Sequence, residues 1–201
     1  MRASKNTIGH RSATTGVSVF PSPTRGRKNG SRQPSLHDSF GRWIGSECSM
    51  DVRADLTMRQ VVCVDSADKH LPYKHRRKMW INDRHAADNI SLFLHRLNYS
   101  CFRSAYKRYG KRINVSSALQ GGVSILREER GEKRLHAHLL LEKPNHLNFD
   151  DFRQAVIKNW VSTKWGYNEL NIELIKSLSG SAAYQVVDNM LSLDIQNTYL
   201  G

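Results

Sequence analysis

Long apolar runs are missing from this chain. No window of about 18 apolar residues occurs in it, so no membrane-spanning helix is expected. No apolar stretch follows Met1 that could act as a secretory signal. Cysteine is scarce. Cys48, Cys63 and Cys101 are odd in number and far apart, which fits neither a disulfide framework nor a zinc knuckle and points to a reducing cytosol. Acidic residues are absent from residues 1–34, which are rich in Arg, Ser and Thr. There is also no Gly-x-x-x-x-Gly-Lys-Ser/Thr phosphate loop, so no fused helicase is expected.

What the chain has in excess is positive charge. Its 201 residues carry 31 Lys and Arg against 18 Asp and Glu, a formal net charge of +13. Such a field draws phosphate backbones and raises encounter rates with nucleic acid. The length suits one domain with a tail, and 39% apolar residues suffice for a core. Residues 1–50 lack hydrophobic periodicity, carry Pro21, Pro23 and Pro34, and cluster Arg25, Arg27, Lys28 and Arg32. They read as a flexible basic arm, a composition shared with organelle transit peptides. The folded domain is then residues 51–201, with order beginning near Leu56.

Within that domain, Met58–Val64 is short and β-branched, a strand. A basic loop with Lys74, Arg76, Arg77 and Lys78 follows, and Trp80 stands at its edge. Cations beside an aromatic suit a single-stranded nucleic acid. Asp88 is a candidate cap for a helix whose apolar positions run from Ile90 to Tyr109, ended by Gly110, with Arg96, Arg103, Lys107 and Arg108 on the other face. Residues 113–126 read as a strand with a kink at Gly121-Gly122, "REERGEK" as a charged turn, and Arg134–Glu142 as the returning arm of a hairpin. Asn148 looks like an N-cap, with Asp150 and Asp151 in the first turn. Residues 169–176 alternate as a half-buried strand, and Ser181–Leu191 reads as a last helix carrying Tyr184. The order strand, helix, hairpin, helix, strand, helix predicts an α+β fold: an antiparallel sheet with flanking helices.

The returning arm reads "RLHAHLLLE". Side chains alternate along a strand, so His136 and His138 share one face of an otherwise apolar run. A buried imidazole needs a partner. Two imidazoles, with a carboxylate from Glu128 or Glu129 across the turn, make a three-ligand metal site with open positions.

This hairpin resembles that of the HUH endonucleases, which include rolling-circle replication initiators and viral Rep nuclease domains. In several of these, a Glu stands seven residues before a His-hydrophobic-His pair, as Glu129 stands before His136 here. The element order from about Leu56 to Leu191 is also similar to theirs. The resemblance implies Mg²⁺ or Mn²⁺ held by Glu129, His136 and His138, imidazole ligation making Mn²⁺ competitive. It also implies a tyrosine nucleophile on a later helix, forming a 5′-phosphotyrosine link with DNA. Tyr184, in "GSAAYQVVDN", falls where the family's Tyr-x-x-Lys motif would, with Val187 in place of the lysine; Tyr199 is the next candidate. Implied partners are single-stranded or origin-hairpin DNA, contacted by Lys74, Arg76, Arg77, Lys78, Trp80 and Arg134, with host helicase and polymerase acting afterwards. Two rivals stand beside this one. One is a single-tyrosine HUH transposase. The other is a module that only binds DNA or RNA, because the sheet-and-helix type is shared with RNA-recognition domains.

Overall fold

The computed structural model describes residues 35–64, 70–72, 75–121, 134–186 and 192–200. The chain divides at Gln33–Pro34 into two units, and all described residues belong to the second. Glu128 and Glu129, Lys74 and Val187 lie outside the described residues.

The first described element corrects the expected arm. Helix α1 spans Leu36–Glu47, inside residues read as flexible. Ser35 caps it by accepting from the Asp38 amide, while Asp38 accepts from the Ser35 amide: a complete capping box. Phe40 and Ile44 then bury against Ala182, Val186 and Leu140. The glycines that made this stretch look like loop serve packing. A Cβ on Gly41 would lie 2.4 Å from the Ser179 carbonyl oxygen, so only glycine permits this close approach of two helices.

A four-stranded antiparallel sheet follows, in spatial order β4-β5-β1-β6, where β1 is Val52–Met58, β4 Val115–Gln120, β5 His136–Leu141 and β6 Gly166–Leu174. The fold is therefore α+β, as the alternation of strands and helices predicts. The expected strand over 58–64 is two. β1 ends at Met58, and β2 (Val61–Cys63) leaves the sheet to pair with β3 (Lys78–Trp80) as a separate ribbon. Gln60 makes the corner: its side chain donates to the Met58 carbonyl and accepts from the Leu135 amide. Arg77, Lys78 and Trp80 lie exposed on or beside this ribbon. The expected strand over 113–126 is described only as far as Gln120, and Gly121 after it takes φ +92°.

One face of the sheet carries the main core. Val52, Ala54, Leu56 and Met58 of β1 and Ala137, Leu139 and Leu141 of β5 are buried there. Helix α2 (Asp83–Phe102) and helix α4 (Phe149–Val161) cover them with Ile90, Phe93, Leu97, Phe152, Val156 and Trp160. Phe93 meets Trp160 edge to face at 5.5 Å. The cap of α2 is Asn82, six residues before the expected Asp88, whereas α4 is capped by Asn148 as its sequence predicts. Helix α3 (Ser104–Tyr109) continues from α2 across a turn at Arg103 and stops at Gly110, φ +65°. The last helix, α5, spans Leu178–Gln185, three residues earlier than read, so Tyr184 sits in its final turn rather than near its start. Among the described residues no helix is long and apolar enough to cross a membrane.

Cys101 is buried at the end of α2, and burial pushes its thiol up to about 11, whereas Cys48 and Cys63 are half-buried. Thiolate is the reactive form. Under mildly alkaline conditions a thiol reagent is expected to modify Cys48 and Cys63 in the native chain, and Cys101 only after unfolding in urea. Equal rates at all three, read by peptide mass spectrometry, would overturn this account of the α2 packing.

Candidate metal and nucleophile site

The opposite face of the sheet is where the polar residues gather. β1 reads Val-Arg-Ala-Asp-Leu-Thr-Met, so Arg53, Asp55 and Thr57 point away from the core. Register pairs Asp55 with His138 and Thr57 with His136 on one side, and Arg53 with Glu173 and Asp55 with Asn171 on the other. β4 adds Gln120 opposite His136 and Ala118 opposite His138. Both histidines do share one face, and their ring centroids are 4.7 Å apart.

His138 is almost fully buried and held at both ring nitrogens. Nδ1 lies 2.5 Å from an Asp55 carboxylate oxygen and Nε2 lies 3.0 Å from the Gln120 side-chain oxygen. The Gln120 amide is oriented by its nitrogen, which donates to the Tyr184 and Gln185 carbonyls at 3.3 Å each. Both His138 nitrogens therefore face side-chain oxygens. His136 is half-buried, and its Nδ1 lies 2.7 Å from the Arg134 carbonyl. Beside it, Thr57, Arg134, His136 and Glu169 line an open hollow of about 440 Å³.

Asp55 is shared. Arg53 donates to it through Nε at 3.1 Å and Nη2 at 2.9 Å, and reaches toward Glu173 at 4.0 Å. Burial works against the Asp55 charge, yet the hydrogen bonds from His138 and Arg53 outweigh it and hold the carboxyl below its ordinary value. Burial likewise opposes the Arg53 charge, and the Asp55 bond with the nearby anionic groups raises it nonetheless. The Arg53 guanidinium then lies over the Tyr184 ring, 4.7 Å from its centroid. The other neighbour of that ring is His138, centroids 5.2 Å apart and planes nearly perpendicular. Tyr184 thus lies against a cation and an imidazole and is 38% exposed.

Gln185 secures this arrangement. Its side chain is 1% exposed. It donates to the His138 carbonyl at 2.8 Å and the Ser116 carbonyl at 3.1 Å, and accepts from the Ser116 hydroxyl at 2.7 Å. One amide therefore ties the helix of Tyr184 to the strand of His138.

The two imidazoles are suited to a divalent ion. Asp55 at Nδ1 is the carboxylate–histidine support common behind metal ligands, and it leaves Nε2 as the atom that could ligate. The Gln120 oxygen 3.0 Å away is a hard donor on the same spot. Among the described residues no group of three His, Cys, Asp or Glu is set for a metal, and the expected third ligand, Glu129, lies outside them with Glu128. Of the expected nucleic-acid contacts, Arg134 adjoins His136, while Arg76, Arg77, Lys78 and Trp80 belong to the β2–β3 ribbon and its approach. Tyr199 is bridged to Val115 at the β4 edge, away from Tyr184.

No family model, no curated protein and no solved structure matches the chain.

Sequence reasoning missed Arg53, Asp55, Gln120 and Gln185. The alternation of β1 marks the first two as one face. The two glutamines have no local signature, because their partners are 18 to 69 residues away. Replacing Gln185 by Leu strands the buried Ser116 and His138 groups and is expected to cost about 2–4 kcal/mol. Urea unfolding of the variant measures this, and a loss under about 0.5 kcal/mol would remove Gln185 from its role as a clamp.

Proposed function

We propose that the chain is an HUH-type, metal-dependent nuclease that nicks and rejoins single-stranded DNA through Tyr184, initiating rolling-circle replication of a plasmid, phage or other mobile element. The observation that carries the reading is the Tyr184 ring seated against both His138 at 5.2 Å and Arg53 at 4.7 Å, on the face that holds both histidines. A four-stranded antiparallel sheet with helices is compatible with this family's fold. The net charge of +13 supports a nucleic-acid substrate.

Mg²⁺ or Mn²⁺, held by His136 and His138 with Glu129, would polarise the scissile phosphate. The rest falls to the chain. The Tyr184 hydroxyl gives up its proton and its oxygen bonds to phosphorus as the bond from phosphorus to the 3′-oxygen breaks. A 5′-phosphotyrosine and a free 3′-hydroxyl result, and the reverse step rejoins the strand. A phenol is a weak nucleophile at neutral pH and needs a neighbouring cation. Arg53 supplies one, where the family motif uses the lysine that Val187 replaces. Asp55 holds both Arg53 and the His138 Nδ1, which positions the two sides of the tyrosine together. Arg77, Lys78, Trp80 and Arg134 offer strand contacts, and host helicase and polymerase would extend from the 3′-hydroxyl.

Labelled single-stranded DNA from the gene's flanking region, incubated with Mn²⁺, Mg²⁺ or EDTA, tests this. A metal-dependent covalent adduct is expected, absent in Tyr184→Phe and in His136→Ala. His136 is the cleaner substitution, because removing His138 also takes a hydrogen bond from both Asp55 and the Gln120 oxygen. An adduct that survives Tyr184→Phe moves the nucleophile elsewhere. Arg53→Gln is expected to slow adduct formation about 10²-fold, with partial recovery in Arg53→Lys; an unchanged rate would dismiss the arginine. One observation favours a second reading, a decayed module that only binds: Val187 where the lysine is expected. Tight binding without cleavage under either metal would select it. Preference for element-end hairpins over an origin sequence would select a transposase.

A further inference from the structure

A second surface of the molecule is built for a polyanion, and it is independent of the histidine site. No acidic residue occurs between Asp88 and Glu128, while Arg103, Lys107, Arg108, Lys111 and Arg112 fall within ten residues of one another. All five are exposed, at the corner where α2 passes into α3 and on to β4. The corner itself is strained. Arg103 adopts φ +50°, ψ −120°, a conformation that favours glycine, and presents a long cation to solvent there.

These cations are interleaved with aromatic rings. Lys107 lies 5.0 Å from the centroid of Tyr99, and Lys111 lies 5.2 Å from that of Phe102. Arg112 reaches both Tyr106 and Tyr199, at 5.9 and 5.8 Å. His95 holds the Tyr106 hydroxyl at 2.8 Å. Tyr109 is left 82% exposed at the end of α3. Burying a tyrosine ring is favourable, so one standing almost wholly in water within a cationic cluster offers a free face for stacking. A plain solubilising surface needs the charge but not the rings.

We propose that this α2–α3 corner is a second binding surface for single-stranded nucleic acid, with phosphates held by Lys107, Arg108, Lys111 and Arg112 and a base stacked on Tyr109. α2 packs on the apolar face of the sheet, whereas His136 and His138 lie on its other face.

Fluorescence anisotropy with labelled oligothymidylate, in EDTA over a series of salt concentrations, reads binding without cleavage. Replacing Lys107, Arg108 and Lys111 together by Ser is expected to weaken binding at least tenfold and to lower the slope of log K against log salt by roughly 2, about 0.7 per lost phosphate contact. Tyr109→Ala is expected to weaken binding roughly tenfold with the slope unchanged. All four side chains are exposed, and circular dichroism checks that each variant is folded. Unchanged affinity and slope in the triple variant would overturn the proposal. So would equal losses on a duplex of the same length, which would make the surface a duplex-phosphate contact. Loss of cleavage chemistry in the wild type would leave these outcomes untouched.

Discussion

The pairing of Asp55 with His138 across β1 and β5 is the constraint on which the polar face depends. The side-chain period of a strand is two, so register decides which face every residue occupies. In the observed register, Val52, Ala54, Leu56 and Met58 are buried together while Arg53, Asp55 and Thr57 meet the histidines. A slip of β1 by one residue would bring Asp55 into the apolar core and set Leu56 or Met58 beside His136. The hydrophobic contacts with Phe93, Phe152 and Trp160 therefore hold the polar constellation in place without touching it.

From that pair the remaining contacts extend in two directions. Toward β6, Asp55 holds Arg53, and Arg53 covers Tyr184. Toward β4, His138 meets Gln120, whose amide nitrogen bonds to the carbonyls of Tyr184 and Gln185. Both paths end on the same turn of α5. The tyrosine is fixed from two sides, by charge through one path and by neutral hydrogen bonds through the other. Hydrogen bonds to charged groups are the stronger type, and a buried partner of either kind is costly to leave unsatisfied. The first path governs the chemistry available at the ring; the second governs where the ring is.

Much of this was legible in the residues themselves. "RLHAHLLLE" declares a strand with two imidazoles on one side, and Asn148 with Asp150 and Asp151 declares the start of α4. Those signals are local: a period of two, a cap three residues from its donor. α1 was not legible, because Ser35, Gly41 and Gly45 carry loop composition, and only contact with α5 shows why glycine is needed. Arg53 and Asp55 were overlooked because order was expected to begin near Leu56, although their alternation with Val52 and Ala54 was visible. Gln120 and Gln185 could not be read at all. A glutamine at a strand end or in a helix is ordinary until the fold brings it against His138 and Ser116.

The close seat of α1 has a consequence for how the domain can be dissected. Gly41 meets the backbone at Ser179, five residues before Tyr184, and Phe40 and Ile44 cover Leu140 of the histidine strand along with Ala182 and Val186. A fragment begun at residue 51 would keep His136, His138, Asp55, Arg53 and Tyr184. It would nevertheless expose that apolar underside of α5 to water, freeing the helix to rock away from the sheet. A piece that keeps this packing starts at the Ser35 cap, sixteen residues earlier, and α1 serves within it as a buttress.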